Sequence, residues 1–461
     1  MMSMLTAQRL ARNLLSVKCS DLATPTLHSA RRCLLDLFAA AAAGFHAPAA
    51  TALRNMACRR EGRARLWYSG HNAAADAAAM ANSAASSALD LDDGHRWAGG
   101  HPGAAIIPAV LAVSEAAGRS FGDALTAMTV GYEASVRVAA ARDFNRLYAL
   151  STGRWSAYGV AAAAGWLQDV HEEQLAQALV IAGELSPWLI GSGFSQFMGN
   201  HVKEGIPWSA HLGLMSLEMA GEGMTGPLDL FDNPEHYDAD KMIREFAGAW
   251  RIDGVYFKPY ACCRWIHTAL DALSSLQERA RFTAADIDLI EVHTVRRALT
   301  LNNHPEPATL ESAQYSFPFC LALLACDGSG SLLRLHSGLL ARRDVAALAG
   351  KVRMAVDPEL DSRFPAQCPS RVIVHVGGVE LSAQVDVPLG DPSRPLTDQD
   401  LTSKFLDLTR GALQESEVKS FCNRILSMGT EAPITELLAA IPVFPAATAA
   451  KPPGLQGENH G

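Results

Sequence analysis

The segment 24–44 constrains the chain most. Thr24-Pro25 offers a helix start, with proline where its missing N–H costs nothing. Leu27, Ala30, Leu34, Leu37 and Ala41 then recur at three- and four-residue steps, and Gly44 is placed to end the run. Helical patterns near 73–88, 104–117, 122–139, 157–167 and 172–184 repeat this alanine- and glycine-rich composition. Small side chains let helix axes approach closely. The first 250 residues therefore read as a compact bundle of buried helices.

The periodicity changes near residue 285. "IDLIEVHTV" (287–295) and "KVRMAV" (351–356) read as strands. In "RVIVHVGGVELSAQVDV" (371–387), two alternating runs flank Gly377-Gly378, which predicts a two-residue hairpin. Helical patterns return at 398–412 and 415–427. The expected fold class is mainly α: a large all-helical domain (1–254 and 396–441) with an inserted smaller α/β domain (255–395). The tail 442–461 lacks periodicity and reads as flexible.

Hydrophobic residues make up 49% of the 461 and charged residues 19%, as suits a large core. A net charge of −9 argues against nucleic acid and anionic membranes as partners. No apolar run reaches the ~18–20 residues that span a bilayer. "MMSMLTAQRLARNLLSVKCSD" reads as an amphipathic helix rather than a signal peptide. The nine cysteines include no CxxC pair, which suggests free thiols and a cytoplasmic setting.

Against this background, "LDLDDGHRWAGGHPGAAIIP" (89–108) concentrates titratable groups in one interhelical loop, a usual place for function on a rigid scaffold. His101 would precede a helix N-terminus, which favours a neutral imidazole able to act as a base. A capped polar loop is the plainer alternative. Asp90, Asp92, Asp93 and His95 could also hold a divalent ion, but that chemistry normally needs a second acidic cluster. "DNPEHYDADK" (232–241) lacks an i, i+4 carboxylate pair, so no metal is expected. "HVKEGIPWSAHLG" (201–213) and "FKPYACCRWIHTALDAL" (257–273) each set a lysine, Lys203 and Lys258, among aromatics and prolines. That setting suits a pocket for carboxylates. Arg264 and His267 follow in the first turn of the next helix. Cys262-Cys263 reads as packing, and Trp155, Trp208 and Trp265 as core or pocket wall.

"ALDLDDGHR", "GGHPGAAIIPAVLAVSEAAG", "GYEASVR", "VKEGIPWSAHLGLMSLEMAGEGMTGPLDLFD", "KPYACCRWIHTALDAL" and "SFPFCLALLACDG" occur in this order. Together they resemble the MmgE/PrpD family, which includes 2-methylcitrate dehydratase, cis-aconitate decarboxylase and iminodisuccinate epimerase. The resemblance runs from about residue 5 to 430. It implies a helical domain with an inserted α/β lid, a homodimer, and a cofactor-free site between the domains. By the same resemblance Asp90, His101, Lys203 and Lys258 are the catalytic set, and His267 matches a site histidine. Gly94, His95, Arg154, Arg264 and Phe319 complete the expected substrate-contacting group. Three positions depart from the family pattern: Gly94 stands for threonine, "LSTGRWSAYG" lacks a histidine, and Phe319 replaces a tyrosine.

The resemblance implies lyase or isomerase chemistry on a small di- or tricarboxylate, starting with proton removal α to a carboxylate. Hydration or dehydration is the first expectation. Epimerisation of an amino- or hydroxy-dicarboxylate comes second, and decarboxylation or a non-catalytic binding protein comes last. The missing histidine and Phe319 in place of the tyrosine predict poor turnover of cis-aconitate and 2-methylcitrate.

Overall fold

The structure, a computed structural model, describes residues 4–144, 146–147, 150–187, 200–246 and 248–445. Long helices dominate the first half: Thr24–Gly44, Ala75–Ser87, Pro102–Ala116, Phe121–Ala140, Ser156–Leu167, Glu172–Leu185 and Ile206–Gly221. Glycine explains how closely they pack. A Cβ on Gly131 would fall 2.9 Å from the Gly159 carbonyl oxygen, and one on Gly159 would fall 2.4 Å from that of Gly131. The helices Phe121–Ala140 and Ser156–Leu167 thus meet backbone to backbone. Between them, Tyr132 and Glu133 are fully buried with their polar atoms bonded, Glu133 to Arg137 and to the Arg251 amide.

A four-stranded sheet follows, in the order Val352–Val356, Ile287–Thr294, Ser370–Val376, Val379–Val385. The first pair is parallel, with Ile290 opposite Val352. The others are antiparallel, with Val292 opposite Val372 and Val374 opposite Leu381. Gly377 and Gly378 both have positive φ at the predicted hairpin turn. The helix His267–Ala280 packs against the last two strands and against the helix Phe317–Asp327.

Two hydrophobic cores result. The larger draws on residues from Ala7 to Phe257 and again from Leu396 to Ile441. The smaller draws on Tyr260 to Val374, together with Ala40, Leu89 and Leu91 from the helical part. The helix Asp398–Thr409 lies on Thr24–Gly44, and its buried Lys404 binds Asp36 at 2.6 Å and the Leu91 carbonyl at 2.8 Å. The first residues of the predicted tail are packed: the Phe444 ring lies 4.8 Å from that of Phe45, and its amide bonds the Tyr68 carbonyl. Positions 446–461 lie outside the described residues. Among the described residues, no single helix is long and apolar enough to cross a membrane.

Candidate functional site

The loop after Ala75–Ser87 turns sharply, with Asp90 at φ 54°, and Gly94–His95 pairs antiparallel with Val255–Tyr256. That short ribbon brings the 90–101 loop against the segment carrying Lys258. Asp90 is 1% exposed and gathers three cations. Lys203 Nζ donates to its Oδ1 at 2.8 Å and Lys258 Nζ to its Oδ2 at 2.8 Å, while His101 Nε2 stands 3.4 Å from Oδ1. Burial opposes the charge of Asp90. Lys203, Lys258 and His101 outweigh it and hold the carboxyl well below its ordinary range. Asp90 is therefore held ionised, where it can orient Lys203, Lys258 and His101.

His101 occupies the N-cap position of the helix Pro102–Ala116, but its surroundings shift it toward the cation rather than toward the expected neutral ring. Its Nδ1 faces Asp92 Oδ2 at 3.2 Å and the Asp93 carbonyl at 3.1 Å, so both ring nitrogens point at oxygen. Burial and Lys258 oppose a cation there, yet Asp92 and Asp90 prevail and raise the pKa above 6.5. A helix terminus contributes about 0.3–1 kcal/mol. Two carboxylates in near contact inside the protein outweigh that. Beneath them Asp93 accepts bonds from the Tyr132 hydroxyl and the Gly103 amide. Its burial, against those two bonds and with Asp92 and Asp36 nearby, raises it to about 7.

These groups form the floor of a cavity of about 450 Å³ that Asp90, His101, Lys203, Glu204, Tyr256, Arg264 and Tyr315 help to line. Lys258 is not among its lining residues. It is fully buried behind Asp90 and also donates to the Asp90 carbonyl at 2.9 Å, so the expectation that it clamps a substrate carboxylate is corrected to one of fixing Asp90. Lys203 and Glu204 both adopt positive φ, 44° and 57°, in the turn before Ile206–Gly221. Strain at consecutive non-glycine residues is a mark of functional sites. Here it turns Lys203 Nζ toward Asp90, Gln314 Oε1 (3.1 Å) and the Tyr315 hydroxyl (3.4 Å).

Five expected contact residues lie outside the cavity lining. Gly94 makes room for Tyr256: a Cβ there would fall 2.3 Å from the Tyr256 hydroxyl oxygen. His95 is buried against Gly254, and burial with the Arg251 and Arg96 charges lowers it to about 3. Arg154 Nη1 donates to the Ser186 carbonyl at 2.9 Å. His267 is kept neutral by burial and by the Arg264 and Lys258 charges; its Nε2 faces the Cys262 carbonyl at 3.1 Å and its Nδ1 faces Arg264 at 3.3 Å. Phe319 is packed in the smaller core. Arg264 does line the cavity, its guanidinium 4.5 Å from the Tyr256 ring centroid. Of the three tryptophans, Trp155 is core, Trp265 is cavity wall, and Trp208 is 44% exposed. Cys262 is core; Cys263 lines the cavity, and burial pushes its thiol up to about 12, so it stays protonated. Among the described residues no three His, Cys, Asp or Glu side chains are grouped to hold a metal. Asp232, in the second acidic stretch, instead binds Thr6 near the N-terminus at 2.6 Å.

Sequence reasoning missed four participants. Thr152, inside the segment read only as lacking a histidine, accepts from the His101 amide at 3.2 Å. Its own hydroxyl and amide donate to Glu204 Oε2, at 2.9 and 3.1 Å. Tyr315 donates to Glu204 Oε1 at 3.2 Å. Gln314 ties Lys203 to the Ala88 carbonyl. Tyr315 lies four residues before Phe319, in the turn ahead of the helix Phe317–Asp327, so a tyrosine hydroxyl reaches the site from a neighbouring position.

Comparison with known proteins agrees with this architecture. The MmgE/PrpD N-terminal domain profile matches residues 8–240, and the MmgE/PrpD C-terminal domain profile matches 260–427. A cis-aconitate decarboxylase of Aspergillus terreus is 25% identical over 460 residues, covering 91% of this chain and 92% of its own. The cis-aconitate decarboxylases of Mus musculus and Homo sapiens are 26% and 27% identical, each covering 71% of this chain and 70% and 71% of their own. With both profiles matched in order along most of its length, the chain belongs to the MmgE/PrpD family.

Proposed function

We propose that the chain is a lyase that adds water to, or removes it from, a small di- or tricarboxylate, using its own side chains to move a proton at the carbon α to a carboxylate. The observation that carries this reading is the meeting of His101 and Lys203 on one oxygen, Asp90 Oδ1, at the floor of the cavity. It sets a proton carrier beside a fixed cation. In the hydration direction, water adds to the β-carbon and passes one proton to the Tyr315 oxygen as the Tyr315 hydroxyl passes its own to Glu204, while His101, as imidazolium, delivers its proton to the α-carbon. Lys203 offsets the enediolate-like charge in between. In the reverse direction His101 takes the α-proton. Tyr315, backed by Glu204 and 3.4 Å from Lys203, gives a proton to the leaving hydroxide. Lys258 works through Asp90, whose charge keeps His101 and Lys203 in place.

A second reading, decarboxylation, is favoured by the relatives, which are cis-aconitate decarboxylases. The imidazolium would then protonate the carbanion left by departing CO₂. Epimerisation shares the first step and differs in the face reprotonated. The test is proton NMR in D₂O on a panel of hydroxy-, amino- and unsaturated di- and tricarboxylates. Exchange of an α-proton supports the shared step, and the product identifies the reaction: a hydrated acid, an epimer, or a shortened acid with CO₂. A panel that shows no exchange overturns the proposal. Cis-aconitate, turned over better than every other member with release of CO₂, would favour the second reading over the first.

A further inference from the structure

The cavity above Asp90 is larger and less polar than a small polycarboxylate requires. Its volume of about 450 Å³ falls in the range that takes drug-sized ligands, whereas a six-carbon tricarboxylate has only about a dozen non-hydrogen atoms. Asp90, His101, Lys203, Glu204 and Tyr315, joined by ion pairs and hydrogen bonds, make up one part of the lining. Facing them, the elements of the smaller core contribute Trp265, Leu301, Phe364, Pro365, Val387 and Pro388. Trp265 and Phe364 meet edge to face, with ring centroids 6.1 Å apart. This wall begins next to the ionic floor, because Trp265 lies two residues beyond Cys263, whose thiol is within electrostatic reach of Asp90 and Lys258.

The arginines at that end serve the protein itself. Arg96 binds Asp391 at 2.6 Å and the Ala366 carbonyl at 2.9 Å. Arg264 binds the Leu389 carbonyl at 2.8 Å, and Arg297 donates to the Leu147 carbonyl at 3.4 Å. Asp386 and Asp391 line the same region, Asp391 paired with Arg96 and Asp386 with Arg363, so the cations there are matched by carboxylates and the apolar side chains are the surface left to a hydrocarbon group. Burying those side chains against hydrocarbon is favourable, and against a second carboxylate it is not.

We infer that the wall of Trp265, Leu301, Phe364 and Val387 receives an apolar substituent, so that the substrate class is a di- or tricarboxylate bearing an alkyl chain of about four or more carbons. The carboxylate end of this inference rests on the proposed lyase reading. The alkyl end rests on the wall alone.

The test uses 2-methyl-, 2-butyl- and 2-hexylsuccinate, with Kd measured by calorimetry and α-proton exchange followed in D₂O on the same compounds. Full burial tightens binding roughly threefold to fourfold per methylene. A wall that stays partly open to solvent should still give at least about a tenfold fall in Kd from methyl to hexyl. Phe364→Ala should shrink that gain. A Kd that is flat or rises with chain length overturns the inference, and so does a gain that Phe364→Ala leaves undiminished. Exchange without a chain-length gain keeps the lyase reading and removes the alkyl class. A chain-length gain without exchange keeps the apolar subsite and removes the lyase reading. Absence of both removes both.

Discussion

Replacing Asp93 with asparagine changes charge with little change of shape. The new side chain keeps an oxygen for the Gly103 amide and can donate to the Tyr132 oxygen, while the Tyr132 hydroxyl can turn to the neighbouring Cys33 thiol. The pH dependence should change strongly. Asp93 titrates at about 7 in the folded chain, against an ordinary value of 3.8. Between those values the unfolded chain has released this proton and the folded chain still holds it. Stability therefore falls as pH rises through the window, by about 1.4 kcal/mol per pH unit, and the loss levels off above 7. The full difference is on the order of 4 kcal/mol. An asparagine has no such proton, so Asp93→Asn should gain on the parent protein as pH rises. A chain with two cores need not unfold in one step, so the assay is the thermal midpoint of both proteins from about pH 4.5 to 8.5 rather than an extrapolated free energy. Titrating groups that do not interact with Asp93 cancel in the difference. The midpoint of the variant minus that of the parent should climb up to pH 7 and then flatten. A difference that stays constant or falls with pH would refute the assignment of a protonated Asp93 and the picture of crowded carboxyls beneath His101.

Three further outcomes are expected. His101→Asn should lower kcat by roughly a hundredfold or more with KM less affected, and in the parent protein the hydration rate should fall as pH rises through a pKa above 6.5, because that direction uses the imidazolium. Lys258→Ala leaves Asp90 buried with one fewer cation; a loss of about 3–5 kcal/mol is expected, read as a lowered thermal midpoint, and an unchanged midpoint would contradict the buried pair. Gly94→Thr should cost about 1–3 kcal/mol, because its Cβ displaces the Tyr256 ring; Gly94→Thr combined with Tyr256→Ala should recover part of that loss, and a double variant worse than the sum of the singles would argue against direct contact.

Much of this architecture was legible because it is periodic. The helices near 104–117 and 157–167, and the Gly377-Gly378 hairpin, follow from local spacing that packing did not override. Asp90, His101 and Lys203 were legible as chemistry out of place in an alanine-rich chain. What spacing could not reveal was which side chain stands in front of which. Lys203 and Lys258 look alike in sequence, yet one faces the cavity and the other lies behind Asp90. Tyr256 and Gly94 are 162 positions apart in the sequence, and only their strand pairing shows that the missing side chain of one is the space of the other. The "STGRWSAYG" segment read as a loss because a histidine was sought there. Thr152 gains its role from Glu204, which is held by an unusual backbone turn that no residue pattern announced. The helices at 398–427 fall within the C-terminal family profile, but Leu401, Phe405 and Phe421 pack in the larger core. Helical periodicity is the same whichever core a helix joins.

Lys404 also sets an order of events during synthesis. It holds Asp36 and the Leu91 carbonyl, directly beside Asp90, across 368 and 313 positions of sequence. A ribosome adding roughly 5–20 residues per second delivers Lys404 some 15–60 s after Leu91 has been made. Until then Asp36 lacks this partner, and burial favours its protonated, uncharged form. The support that Lys404 gives to Asp36 and to the Leu91 carbonyl beside Asp90 is in place only once the helix Asp398–Thr409 has been made and has docked on Thr24–Gly44.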